Sequence, residues 1–107
     1  MLDLIIKNGK SFIDGELKKA DLGVKDGIIH GIGQITEEAK KIINAEGQTI
    51  LPGCIDTQTH FREPGSTDTE DLHSGSRAAI MGGITSVFEM PNTNPPTSNM
   101  KEFQRKL

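Results

Sequence analysis

Tryptophan and tyrosine are absent from this sequence and only four Phe are present, so any core must be assembled from Ile, Leu, Val and Met. Apolar residues amount to 34%, below the roughly 45% usual for a soluble domain, which leaves little material for a self-sufficient core. No apolar run approaches the roughly 18 residues that would span a bilayer, and a membrane-spanning helix is excluded. The opening MLDLIIKNGK lacks the positive-then-apolar order of a secretory signal. The single Cys54 rules out an intrachain disulfide framework, and together these two absences predict a reducing, cytoplasmic home. Lys and Arg are scattered through a chain of net charge −3, so the basic stripe of a nucleic-acid binder is missing as well.

Turns are plentiful: twelve Gly and five Pro punctuate 107 residues. Residues 1–51 read as short strands broken by Asn8-Gly9, Asp14-Gly15 and Asp26-Gly27, with Leu2 to Ile6, Leu22 to Lys25 and Ile28 to Ile32 as the apolar segments. Asp26-Gly27 is the clearest signal, because the tightest hairpin turn needs positive φ at both central positions. Thr36 to Lys40 predicts one helical turn, too short to stand alone. From residue 52 onward the pattern changes to strand, helix, strand, helix. Cys54 to Phe61 forms the first strand; Thr67 and Glu70 make a capping box for a helix on which Leu72, Ser76, Ala79 and Ile80 share a face; Gly82-Gly83 stops it. Ile84 to Met90 is a second strand, and Ser98 caps a last helix over Asn99 to Leu107. Such βαβα units build parallel sheets whose chemistry sits in the loops after the carboxyl ends of the strands, here His60 to Ser66 and Pro91 to Ser98.

Asp56-Thr57-Gln58-Thr59-His60-Phe61-Arg62-Glu63-Pro64-Gly65 is the most informative stretch. Residues two apart on a strand face the same way, so Gln58, His60 and Arg62 line one side. A polar row at a strand's end is costly unless something binds it, and imidazole beside guanidinium suits a metal next to an anionic oxygen group. Taken alone, a His on a strand is more often a hydrogen-bonded structural residue than a ligand, and an Arg is usually a surface charge. Asp56 is expected to hydrogen-bond neighbouring backbone, Cys54 to pack as a small apolar residue, and His30 and His73 to carry no chemistry.

The blocks PGCID-T-Q-T-HFREPG, RAAIMGGIT and EMPNT, together with DLIIKNG at the start and AEGQTILPG before the first barrel strand, resemble in order and spacing the dihydroorotases of the amidohydrolase superfamily. The resemblance implies an α/β chain: residues 1–51 as part of a small β-sandwich, and 52–107 as the first two β/α units of an incomplete (β/α)8 metal-dependent hydrolase barrel. It implies that His60, the second His of the family's His-x-His, ligates zinc, that Arg62 holds the substrate carboxylate, and that Asn92 helps bind it. Where the family has its first His this chain has Gln58, a neutral carboxamide and a poorer zinc donor than imidazole, so of the one or two zinc ions expected, the one held there is weakened.

The activity implied is the interconversion of carbamoyl-aspartate and dihydroorotate in pyrimidine biosynthesis. The REPG signature favours this over an allantoinase or a hydantoinase. The other reading is a non-catalytic dihydroorotase-like partner subunit of a pyrimidine-pathway complex, with aspartate carbamoyltransferase as the partner. The general base, the bridging acidic ligand and two further His ligands would come from later strands. A complete barrel takes about 250 residues, so these 107 are expected to be inactive alone and, with open strand edges, to self-associate.

Overall fold

The computed structural model describes all 107 residues as a mixed α/β chain, mostly strands, in two compact units, Met1–Pro52 and Gly53–Leu107. The first unit holds seven strands: β1 (Leu2–Lys7), β2 (Lys10–Ile13), β3 (Glu16–Lys19), β4 (Asp21–Lys25), β5 (Ile28–Gly33), β6 (Ala39–Asn44) and β7 (Thr49–Ile50). One sheet runs β5-β4-β1-β6 and another β3-β2-β7. The β4–β5 hairpin closes at Asp26 and Gly27, whose φ angles of 51° and 75° are the doubly positive pair that Asp-Gly predicts. The core lies under β1, where Leu2 and Ile5 are fully buried. Ser11 is buried too, and its hydroxyl donates to the Ala20 carbonyl at 2.9 Å, so burial leaves no polar group without a partner there.

The helical turn expected at Thr36 to Lys40 does not form. Residues 34–38 are irregular, and Ala39 opens β6, which pairs in parallel with β1 from Leu2↔Ala39 to Lys7↔Asn44. One turn of helix gains too few hydrogen bonds to offset nucleation, whereas the strand gains a full ladder and the 2.6 Å ion pair from Lys40 to Asp3.

In the second unit β8 (Cys54–Thr59) and β9 (Ile84–Glu89) pair in parallel, joined through α1 (Leu72–Met81), with α2 (Met100–Gln104) after β9. The helix start differs from the expected box at Thr67 and Glu70. Asp71 is the N-cap: its carboxylate accepts the Ser74 backbone N–H at 2.7 Å, while the Ser74 hydroxyl accepts the Asp71 N–H at 3.2 Å. Residues 66–70 are instead folded back by Thr69 and Glu70 N–H bonds to the Ser66 carbonyl. Gly82 and Gly83 do stop α1, Gly83 at φ 85°. Asn99, one residue after the expected Ser98, caps α2.

Burial is sparse here. Cys54, expected to be packed, is exposed, at the start of a strand that has only β9 beside it. Of the expected apolar helix face only Ala79 is half-buried; Ile80 remains 64% exposed. The tight point of α1 is Gly75, where an added Cβ would sit 2.8 Å from the Phe61 ring.

Candidate active site at the paired strand ends

Parallel pairing brings the carboxyl ends of β8 and β9 side by side, with Thr59 opposite Glu89. The pairing continues one step further, since the Met90 N–H donates to the Thr59 carbonyl at 2.8 Å. His60 is the first residue past β8, and Asn92 lies three past β9. Their side chains meet: His60 Nδ1 and Asn92 Oδ1 are 2.9 Å apart. A carboxamide oxygen can only accept, so this contact is a hydrogen bond when the His60 proton sits on Nδ1, the tautomer that leaves the Nε2 lone pair free.

Two further contacts tie the loops. The Asn94 N–H donates to the Pro64 carbonyl at 3.1 Å. Gly65, at φ 105°, lies so close that a Cβ there would be 2.4 Å from the Asn94 carbonyl oxygen and Cβ. Any side chain at Gly65 would therefore be both strained and overlapped, and only glycine lets the two loops close. Nothing in the sequence around Pro64-Gly65 discloses this contact with Asn94.

Of the four residues singled out in the sequence, the structure joins His60 to Asn92 and leaves Gln58 and Arg62 untied to them. Gln58 is exposed on β8, and its backbone N–H donates to Asp56 Oδ1 at 3.0 Å, the local role expected of Asp56. Arg62 is exposed; its carbonyl accepts the Ser66 N–H, which turns the loop. Glu63 has a role that the sequence did not disclose. Its Oε2 accepts the Leu72 N–H at 2.7 Å, so the loop after β8 helps to cap α1. No local pattern marks this role, because Glu63 lies nine positions before Leu72. His30 and His73 are exposed on β5 and α1.

No three His, Cys, Asp or Glu side chains gather into a cluster that could hold a metal. At the strand end His60 offers one imidazole nitrogen, one of the four donors of a tetrahedral zinc shell, while Gln58 makes no contact with it. The His60 ring fits that use well, because a ligating His almost always donates its other N–H to an oxygen acceptor.

Residues 49–107, more than half of the chain and all of the site, match the model of the amidohydrolase family. The chain belongs to the amidohydrolase family. Among curated amidohydrolase relatives, a dihydroorotase of Carboxydothermus hydrogenoformans is 45% identical over 101 residues, covering 92% of this chain and 24% of that protein. An allantoinase of Escherichia coli O1:K1 is 43% identical over 106 residues, 98% of this chain and 23% of that protein. The chain thus spans about a quarter of the length of these relatives. The L-hydantoinase (dihydropyrimidinase) of Arthrobacter aurescens superposes with a TM-score of 0.89 at 34% identity, covering 99% of this chain and 24% of that one. The N-acyl-D-glutamate deacylase of Bordetella bronchiseptica, solved with zinc and a phosphonate mimic of the tetrahedral intermediate, superposes with a TM-score of 0.64 at 31% identity over 80% of this chain and 18% of that one. No helix is long and apolar enough to cross a membrane.

Proposed function

We propose that this chain is the part of a dihydroorotase-type cyclic amidohydrolase that carries its first metal ligands and its carboxylate-binding residues. The observation that supports this best is the junction of the two post-strand loops, which places His60 against Asn92 with Arg62 two residues further along the same loop. In this reading residues 1–51 belong to a β-sandwich and residues 52–107 open a (β/α)8 barrel. His60 and Gln58 would hold zinc, which when bound supplies an acidified water and a polarised amide carbonyl. Arg62 offers a planar fork to the substrate carboxylate and Asn92 an amide N–H, so both orient dihydroorotate for opening of its ring amide. In that hydrolysis the ring C–N bond breaks, water oxygen joins the carbonyl carbon, and the released nitrogen takes the proton, giving carbamoyl-aspartate.

Allantoinase and hydantoinase activities are the nearest alternatives, favoured by a relative only two percentage points less identical and by the hydantoinase superposition. Gln58 favours a second reading, a silent homologue that serves as a partner of aspartate carbamoyltransferase, because a carboxamide replaces an imidazole donor. One experiment separates them: hydrolysis of dihydroorotate, allantoin and an uncharged hydantoin by the whole protein, with and without Arg62→Lys. The expected outcome is preference for dihydroorotate. Loss of the guanidinium fork then costs about 1.5 to 3 kcal/mol for that substrate alone. Preference for allantoin or the hydantoin would sink the substrate assignment, and no hydrolysis of any of the three would favour the silent partner.

A further inference from the structure

Resting on that reading of the site, we propose that Asn92 is a positioning residue for His60, fixing which ring nitrogen faces outward, in addition to any contact it makes with a substrate anion. An unconstrained neutral imidazole favours its proton on Nε2, the tautomer that would blunt His60 as a donor at that nitrogen. The 2.9 Å contact reverses this preference, because Asn92 Oδ1 can accept only from a protonated Nδ1. The placement of Oδ1 toward the ring also sets what the rest of the amide offers. With Oδ1 committed to His60, only Nδ2 remains, and Nδ2 is a donor suited to a carboxylate oxygen. One side chain therefore links the ligand ring to the anion subsite.

The loops are built to hold this geometry. Thirty-two positions separate His60 from Asn92, yet the loops from which they project are fixed at two places: by Met90 N–H to the Thr59 carbonyl, and by Asn94 against Pro64 and Gly65. None of these involves the His60 or Asn92 side chain. Replacing Asn92 consequently removes the acceptor without removing what holds the loops together.

The direct test is the tautomer of His60, read from its ring nitrogen shifts and two-bond couplings in 15N-labelled protein at about pH 8.5, above the ordinary imidazole range. The wild type is expected to carry the proton on Nδ1. Asn92→Leu, close in size but without an acceptor, should shift the ring toward Nε2–H; Asn92→Ala serves the same comparison if the leucine variant does not fold. Asn92→Asp should retain Nδ1–H, because a carboxylate also accepts from it, while repelling a substrate carboxylate. In the whole protein Asn92→Leu should lower zinc affinity roughly 10- to 100-fold, the usual effect of removing an acceptor behind a ligand, with Asn92→Asp spared. Asn92→Asp should nevertheless lose dihydroorotate binding. An Nε2–H ring in the wild type, or an unchanged Nδ1–H ring in both Asn92→Leu and Asn92→Ala, would overturn the proposal. Retained tautomer control with no response of the His60 ring to zinc would leave the positioning role standing and sink the metal reading instead.

Discussion

Met1–Pro52 and Gly53–Leu107 are nearly equal in length and opposite in construction. The first unit has a core of its own: Leu2 and Ile5 are essentially inaccessible, Ala45 is 2% exposed, and β1 is flanked by hydrogen-bonded strands on both sides. The second has a two-stranded sheet and Gly75 as its one buried helix residue, while Ile55, Phe88 and Ile80 are each at least 60% exposed. The candidate site lies in the unit with the weaker core. What holds His60 and Asn92 in register is local and polar, a set of backbone bonds and one glycine contact, so the two units should respond to different kinds of damage.

The largest expected effect follows from the core. Ile5→Ala should destabilise the first unit by about 2 to 5 kcal/mol, the range for truncating a buried isoleucine. Ile80→Ala, made at a side chain 64% exposed, should change the second unit by under about 0.5 kcal/mol, as exposed substitutions usually do. Residue-resolved amide exchange checks both, since it reports protection in each unit separately. Similar losses in both would mean that the second unit is far better covered in solution than its side-chain exposures indicate.

A middle-sized effect separates loop from helix within the second unit. Glu63→Ala removes the acceptor of the Leu72 N–H and should cost α1 about 1 kcal/mol, as loss of a capping contact does. Fraying of the first turn of α1 by amide exchange, with β1 to β6 unchanged, is the expected pattern. An undisturbed α1 would mean that Asp71 and Ser74 hold the helix start without help from the loop.

The parts of this architecture that local chemistry decides could be read from the residues. Asp26-Gly27 gave the hairpin because positive φ is a property of those two residues. The stop at Gly82-Gly83 and the strands on either side of α1 follow from turn chemistry and apolar runs of ordinary length. What was misread depended on distant partners. Thr36 to Lys40 looks helical, with Glu37, Glu38 and Ala39, and its end joins a strand only because β1, more than thirty residues earlier, supplies the ladder. The helix start was placed four residues early because Thr67/Glu70 and Asp71/Ser74 both satisfy a capping pattern, and Glu63 favours the second. At the site, the residue types of His60, Arg62 and Asn92 drew attention, but the bond from His60 to Asn92 spans two loops and is invisible in one dimension.

The smallest effect concerns acid, and it distinguishes the units by mechanism. Asp3 in the first unit is held below its ordinary 3.8 by the Lys40 ammonium that bonds it and by the Asp26 N–H. Asp71 in the second is held below the same value by the Ser74 backbone N–H and then the Ser74 side chain. In both, the folded pKa lies under the unfolded one. Their contributions are therefore complete above the ordinary carboxylate range and disappear as pH falls through the depressed folded values. Both groups are exposed, so the acid loss should be slight in each unit, and Asp3→Asn or Asp71→Asn should flatten it only in its own half. Salt should divide them. The Asp3 contribution rests first on an exposed ion pair and should shrink as ionic strength rises, whereas that of Asp71 rests on hydrogen bonds from neutral groups and should persist. Amide exchange of β1 and of the first turn of α1, followed from pH 5 to about pH 2.5 at low and high salt, measures the two together. Equal salt sensitivity in both would show that Lys40 is not what holds Asp3 ionised.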